Sequence, residues 1–330
     1  MNSVSSLLKL VEKEIKKQRF GSKPKSLYDP IHYIMALGGK RLRPLLALLS
    51  YSLYKENPQA IVKYANAIEL FHNFTLLHDD IMDKAPLRRG KPTVHEKWNA
   101  NTAILSGDVM QVKVYDQLLD LDNKILKDVL TAFNKCATEV CEGQQWDMEF
   151  ETKKNVTEFE YIEMIRLKTA VLLGFSLEFG ALLANAPAKD RVALRQFGIN
   201  IGIGFQLKDD LLDVYADKEK FGKQVGGDII ANKKTYLLIK AKERASGAKL
   251  PAGQAGKKKL DYWLAAKNFN NQKKVKAVTD LYNRLGIPGL TEKKIASYFK
   301  KGFKELDKLK DSPQKTSLIQ FTQDLINRQS

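Results

Sequence analysis

From Thr93 to Ala186 the chain contains no proline, and along nearly its whole length apolar residues recur at intervals of three and four. Proline breaks a helix interior by removing a donor and clashing with the preceding turn, so this stretch permits long continuous helices. Spacing of three and four lays one apolar stripe on a helix, whereas the alternation by two that marks a half-buried strand is absent over any long run. The segment "YANAIELFHNFTLLHDDIMD" sets Ala67, Leu70, Phe71, Phe74, Leu77 and Ile81 along one such stripe. Segments 157–186 and 190–217 behave alike, and the second is apolar around most of its circumference, as expected of a helix at the centre of a bundle. Most prolines fall between periodic segments, and Pro44 suits the first turn of a helix. No solenoid-period repeat and no linker divides the chain. The expectation is all-α: one domain over residues 1–330, a single large bundle of long helices around a deep apolar cavity.

At 330 residues and 44% hydrophobic content the chain can bury a large core. Its longest apolar run, "PLLALLSYSLY", is too short to span a bilayer. The amino-terminal segment reads as an amphipathic helix without the features of a secretory signal, so the expected location is cytoplasmic, with no transmembrane segment. Cys136 and Cys141 lie five apart on one helix and point to different sides, which disfavours a disulfide. The formal charge of +17 favours anionic partners. Nucleic acid is not expected, because no nucleic-acid module is present and aromatics do not interleave with basic residues. The most basic stretch, Lys249–Val275, reads as a solvated loop and helix start.

The acidic residues are more informative. "HDDIMD" places Asp79, Asp80 and Asp83 so that the first and third stack one turn apart on a helix. Carboxylates so placed repel unless a cation lies between them. One such cluster is weak evidence, since a solvated acidic helix end looks the same. The spacing recurs in "FQLKDDLLDVYAD" with Asp209, Asp210 and Asp213, again after an apolar run. Oxygen-only ligands select hard cations, and Mg²⁺ typically bridges carboxylates to substrate phosphates. Basic residues flank both clusters: Lys40, Arg41 and Arg43 in "GGKRLRP", Arg88 and Arg89 in "LRRGKP", Lys168 beside Thr169 in "RLKTA", and Lys223, Lys233 and Lys234 in "GKQVGGDIIANKKTY". Arginine forks and lysine charges suit phosphate oxygens. Together the two residue types point to a magnesium-bridged diphosphate. A glycine-rich nucleotide loop is absent.

In their order and spacing, "GGKRLRP", "LLHDDIMD", "LRRGKPTVH", "KTA", "GFQLKDDLLD" and the "GK…GGD…NKKT" region closely resemble the trans-isoprenyl diphosphate synthases, the farnesyl and geranylgeranyl diphosphate synthase family, from about Pro30 to Tyr236. The resemblance implies a helical homodimer that joins isopentenyl diphosphate to an allylic diphosphate. It implies three Mg²⁺, with Asp79 and Asp83 holding two and Asp209 a third, supported by Asp80, Asp210 and Asp213. It assigns Arg88, Lys168, Lys233 and Lys223 to the allylic diphosphate, and Lys40, Arg43, His72 and Arg89 to isopentenyl diphosphate. Thr169 and Gln206 would turn oxygen dipoles toward the developing cation.

Phe74 lies five residues before Asp79, about 7–8 Å along a helix axis. In the family an aromatic there, with a small residue such as Thr75 beside it, resembles the C20-forming geranylgeranyl diphosphate synthases. Phe71, one turn deeper, could also limit length. The expected product is C20, with a C15 farnesyl synthase as the alternative. A terpene cyclase would show an Asn/Ser/Glu motif in place of the second aspartate cluster, and head-to-head synthases use DxxxD spacing. A silent partner subunit tends to lose aspartates, and this chain keeps all six.

Overall fold

In the computed structural model the structure describes residues 3–216, 226–246 and 253–327. Apart from one two-stranded hairpin, the regular elements among them are helical: α1 (Val4–Lys17), α2 (Lys25–Ala36), α3 (Leu42–Ser52), α4 (Val62–Met82), α5 (Val94–Lys97), α6 (Ala100–Leu118), α7 (Asn123–Thr152), α8 (Glu158–Ile165), α9 (Val171–Leu183), α10 (Ala188–Tyr215), α11 (Gly227–Ile230), α12 (Tyr236–Ser246), α13 (Gly253–Ala265), α14 (Asn271–Arg284), α15 (Ile287–Leu306) and α16 (Pro313–Asn327). The all-α expectation therefore holds. No described helix is long and apolar enough to cross a membrane. Neither cysteine is in a disulfide.

The chain gathers into two compact units, one of Met1–Cys136, Leu172–Arg195 and Leu309–Phe321, the other of Ala137–Val171, Gln196–Lys308 and Thr322–Ser330. In the first, α4 packs along α6, with α1, α2 and α3 around the pair. Each surface helix follows its stripe: α1 buries Leu7, Val11 and Ile15, four residues apart, and opens on the Ser3 hydroxyl, which accepts from Ser6 N at 3.1 Å. A chain of aromatic rings runs within the buried core of this unit. Phe71 meets Phe133 edge-on at 5.1 Å, Phe133 meets Phe175 at 5.9 Å, and Phe175 meets Phe179 at 5.5 Å. Pro30 departs from the rule that prolines sit at breaks, for it lies buried within α2.

In the second unit, Val214 of α10 and Ile229 of α11 join Leu237, Leu238 and Ala241 of α12, Leu260 of α13 and Val278, Leu281 and Tyr282 of α14 in one core. Helix α8 opens with a capping box: Thr157 N and Glu160 N each bond the other residue's side chain, at 2.9 and 3.2 Å. Between α8 and α9 the backbone widens into a π turn, Arg166–Ala170.

Candidate functional site

In the first unit three segments carry the candidate residues: the carboxyl end of α4, the hairpin after it, and the loop between α2 and α3. Aspartates at the carboxyl end of α4 stand at the wrong pole of the helix dipole. Asp80 is buried and receives Arg88 as a fork, Nε at 2.8 and 2.9 Å and Nη2 at 2.6 Å, while Arg88 Nη2 also lies 3.8 Å from Asp79. Asp79 is half-buried and Asp83, one turn on, is exposed at the helix end. The three aspartates thus differ: Asp80 is a brace for Arg88, and Asp79 and Asp83 stand beside it.

The hairpin pairs β1 (Leu87–Arg88) with β2 (Lys91–Pro92). Its two-residue turn has φ of 53° at Arg89 and 73° at Gly90, the left-handed pair that a tight hairpin requires. Strict helical periodicity could not show this element. Arg89 reaches back to donate to Gly38 O, and its guanidinium fills the space where a Cβ at Gly39 would stand. Glycine at 39 therefore lets the two basic motifs meet.

The α2–α3 loop separates its arginines by role. Arg41, with φ of 45°, is buried: Nε donates to Glu12 at 2.9 Å, Nη1 to Glu69 at 2.9 Å and Nη2 to Met35 O at 2.8 Å. Arg43 keeps a buried Nε that finds no hydrogen-bond acceptor among the described residues. Burial pushes its pKa down to about 10, against the pull of Glu69, so it stays charged at neutral pH. Lys40 is exposed. Burial, and then the charges of Arg43, Arg89, Arg88 and Arg41, hold His72 well below the ordinary imidazole range. Burial first, and then the charges of Arg41 and Arg88, lower Arg89 as well, and a neutral histidine among such arginines describes a site made for an anion. Thr75 donates to His72 O at 2.8 Å, and Phe74 packs on Phe71 at 5.7 Å and His78 at 4.7 Å.

In the second unit the site residues lie on α10, the π turn, α7 and the segment after α10. Asp210 is buried, accepting from Tyr161 Oη on one oxygen and from Gln206 Nε2 at 3.2 Å on the other. Burial raises Asp210 to about 7, against the bond from Tyr161. Thr169 Oγ1 donates to Gln206 Oε1 at 3.4 Å, so the π turn, Gln206 and Asp210 form one chain of bonds. Asp209 is exposed. Asp213 Oδ2 accepts from Asp228 N at 3.0 Å and so holds the start of α11. Lys168 Nζ meets Asp147 at 2.6 Å. The close approach of the π turn to α7 needs Gly143, where a Cβ would run into the Lys168 backbone. Lys233 is exposed, and its neighbour Lys234 is tied to Glu151 O at 2.7 Å. Lys223 lies outside the described residues.

Among the described residues no three His, Cys, Asp or Glu side chains gather closely enough to cage a metal. The carboxylates of Asp79, Asp83 and Asp209 are oxygen donors, which suit a hard cation such as Mg²⁺, commonly held by one or two carboxylates plus substrate phosphate. Sequence reasoning missed Tyr161, Asp147 and Glu69. Only Asp228, inside the "GGD" motif, carried a signal that could have found it.

The sequence profile of the polyprenyl synthetases matches residues 24–282. A geranylgeranyl diphosphate synthase of Methanosarcina mazei is 40% identical over 311 residues, 93% of this chain and 91% of that one. A geranylgeranyl pyrophosphate synthase of Geoglobus acetivorans is 36% identical over 326 residues, 97% and 96% of the two chains. Among solved structures, a crystal structure of geranylgeranyl pyrophosphate synthase matches with a TM-score of 0.93 at 42% identity, covering 100% of both chains.

Proposed function

Since the chain belongs to the polyprenyl synthetase family, we propose that it is a prenyltransferase that condenses isopentenyl diphosphate head-to-tail with an allylic diphosphate to give the C20 product, geranylgeranyl diphosphate. The observation that carries the reading is the anion site of the first unit: neutral His72 among arginines, one of which, Arg43, has a buried N–H that finds no acceptor among the described residues. Isopentenyl diphosphate is bound there by Lys40, Arg43, His72 and Arg89. The allylic diphosphate is bound by Arg88, Lys168, Lys233 and Lys223. Three Mg²⁺, held by Asp79, Asp83 and Asp209, would supply positive charge to the departing diphosphate.

The chain's own groups do the rest. The fork from Arg88 to Asp80 leaves Nη1 for a phosphate oxygen. As the allylic carbon–oxygen bond breaks, negative charge collects on the diphosphate, where fixed lysine and arginine charges stabilise it. The carbon left behind is cationic, and the oxygens of Thr169 and Gln206 would face it; the bond from Thr169 to Gln206 and the bond from Gln206 to Asp210 support that role by fixing both side chains. The isopentenyl double bond attacks, and the departed diphosphate accepts the proton that is lost. Apolar side chains exclude water, which would quench the cation to an alcohol. The product tail runs along α4 to a floor at Phe74, backed by Phe71, with Thr75 leaving room beside it.

We read residues 1–330 as one synthase domain acting as a homodimer. The exposed Ile104, Leu105 and Val112 of α6 support a second copy. Two cysteines outside any disulfide support a cytoplasmic location. The test is incubation with labelled isopentenyl diphosphate and each short allylic primer, with and without Mg²⁺. Magnesium-dependent C20 diphosphate is expected; a C15 end product favours the farnesyl alternative. No turnover under any primer refutes the reading and favours a silent partner subunit.

A further inference from the structure

The lysine-rich stretch expected to be solvated contains a lysine that is not: Lys274, in the first turn of α14, is 1% exposed. Its ammonium donates to Ile230 O at 3.1 Å and to Asn232 Oδ1 at 2.8 Å, and it lies 4.1 Å from the ring centre of Phe269. Among the described residues it makes no ion pair. Burial lowers its pKa, with no carboxylate to offset the cost. A buried ammonium held by a carbonyl, an amide oxygen and an aromatic face costs stability relative to an apolar side chain of the same length. Its contacts say what it does instead.

Ile230 ends α11, and the last carbonyls of a helix have no partner within it. Lys274 takes one of them and adds a positive charge at the negative pole. Asn232, at φ of 55°, is the left-handed residue that turns the chain away, and its amide also donates to Leu264 O at 3.2 Å. The next residue is Lys233, whose N–H closes the turn onto Asp228 O at 2.9 Å while its side chain stands exposed. At the other end, Asp213 receives Asp228 N at 3.0 Å on its side chain and Gly226 N at 2.6 Å on its carbonyl. The turn that carries Lys233 is therefore held at its start by Asp213 and at its end by Lys274.

We propose that Lys274 is a positioning residue of the synthase: from beneath α11 it fixes the turn that presents Lys233 to the allylic diphosphate. This rests on the assignment of Lys233 to that diphosphate. A lysine fixed at its root loses less freedom on meeting phosphate, and the two-substrate reaction separates this role from general stability. A loosened turn weakens the use of one substrate and spares the other.

The experiment is steady-state kinetics of the full chain for Lys274→Met, Asn232→Ala, Lys233→Met and the Lys233→Met/Lys274→Met double variant, with thermal unfolding and amide exchange over residues 226–235. Lys274→Met is expected to lower kcat/KM for the allylic diphosphate about 10- to 100-fold, with the isopentenyl KM within about twofold of the parent. The double variant should be no worse than Lys233→Met alone. Allylic kinetics unmoved, both substrates' KM values shifting together, or a double variant that multiplies the single defects would each overturn the proposal. Should Lys274→Met fail to fold, Asn232→Ala, which removes one of its acceptors, carries the same comparisons. If Lys233→Met leaves allylic kinetics unchanged, it is the assignment of Lys233 that fails. Exchange then decides for Lys274 alone: faster exchange in Lys274→Met supports the brace, and unchanged protection overturns it.

Discussion

Replacing Glu69 by Gln tests whether the loop before α3 is held by a buried charge pair. Arg41 and Glu69 meet at 2.9 Å with side chains 2% and 3% exposed, whereas Glu12, the other partner of Arg41, is 40% exposed. Burial disfavours the Arg41 charge, and the two carboxylates more than restore it. Removing one partner of a buried pair outright typically costs about 3–5 kcal/mol. Gln still offers an acceptor, and Arg41 keeps Glu12 and Met35 O, so the loss expected for Glu69→Gln is about 2–3 kcal/mol. Glu12→Gln, acting on a solvent-screened partner, should cost less than about 1 kcal/mol. Urea unfolding at matched m-values reads both numbers. Arg41 lies between Lys40 and Arg43 in sequence, so the same variant should raise the isopentenyl KM more than the allylic KM. Glu69→Gln within about 0.5 kcal/mol of the parent, or Glu12→Gln equally costly, would refute the reasoning.

Three other perturbations reach different parts of the account. Phe74→Ala moves the floor back to Phe71, three residues or about 4.5 Å along α4, so products longer than C20 should appear by chain-length analysis; an unchanged distribution removes Phe74 from the floor. His72, held neutral in the folded chain, is protonated below about pH 6.5 only when unfolded, so its contribution is intact above that pH and lost as pH falls, by up to about 1.4 kcal/mol per pH unit. The acid limb of a stability profile should flatten in His72→Gln, and an identical limb contradicts this. Gly143→Ala should push the π turn away from α7 and reduce turnover at least about tenfold while the isopentenyl KM stays put; normal turnover would show that the turn tolerates displacement.

Periodicity is enough to read the long helices that follow an apolar stripe, which burial then explains: Leu7, Val11 and Ile15 in α1 are an example. The aspartate motifs were legible because their spacing repeats. What the sequence hid were the differences within each motif. Asp80 and Asp79 are adjacent and chemically identical, yet only the first is forked by Arg88. Arg41 and Arg43 share a motif, and only contacts with Glu12 and Glu69, distant in sequence, set them apart. Lys274 sits in a run of lysines that composition assigns to solvent; its burial depends on the carbonyl of Ile230, 44 residues away. Tyr161 reads as an ordinary stripe residue until Asp210 is seen beside its hydroxyl. The hairpin at Leu87–Pro92 is too short to show alternation, and its signal lay in the turn residues Arg89 and Gly90 instead.

Under the proposed function, aspartates of both motifs hold the substrate diphosphate through divalent ions. Calorimetric titration with a non-cleavable allylic diphosphate analogue, over a range of Mg²⁺ concentrations, tests it most directly. Tight binding only with Mg²⁺, uptake of three ions per analogue bound, and loss of that uptake in Asp79→Asn and in Asp209→Asn are the predicted results. Binding of equal strength without the ion, or variants that take up the ions as the parent does, would contradict it.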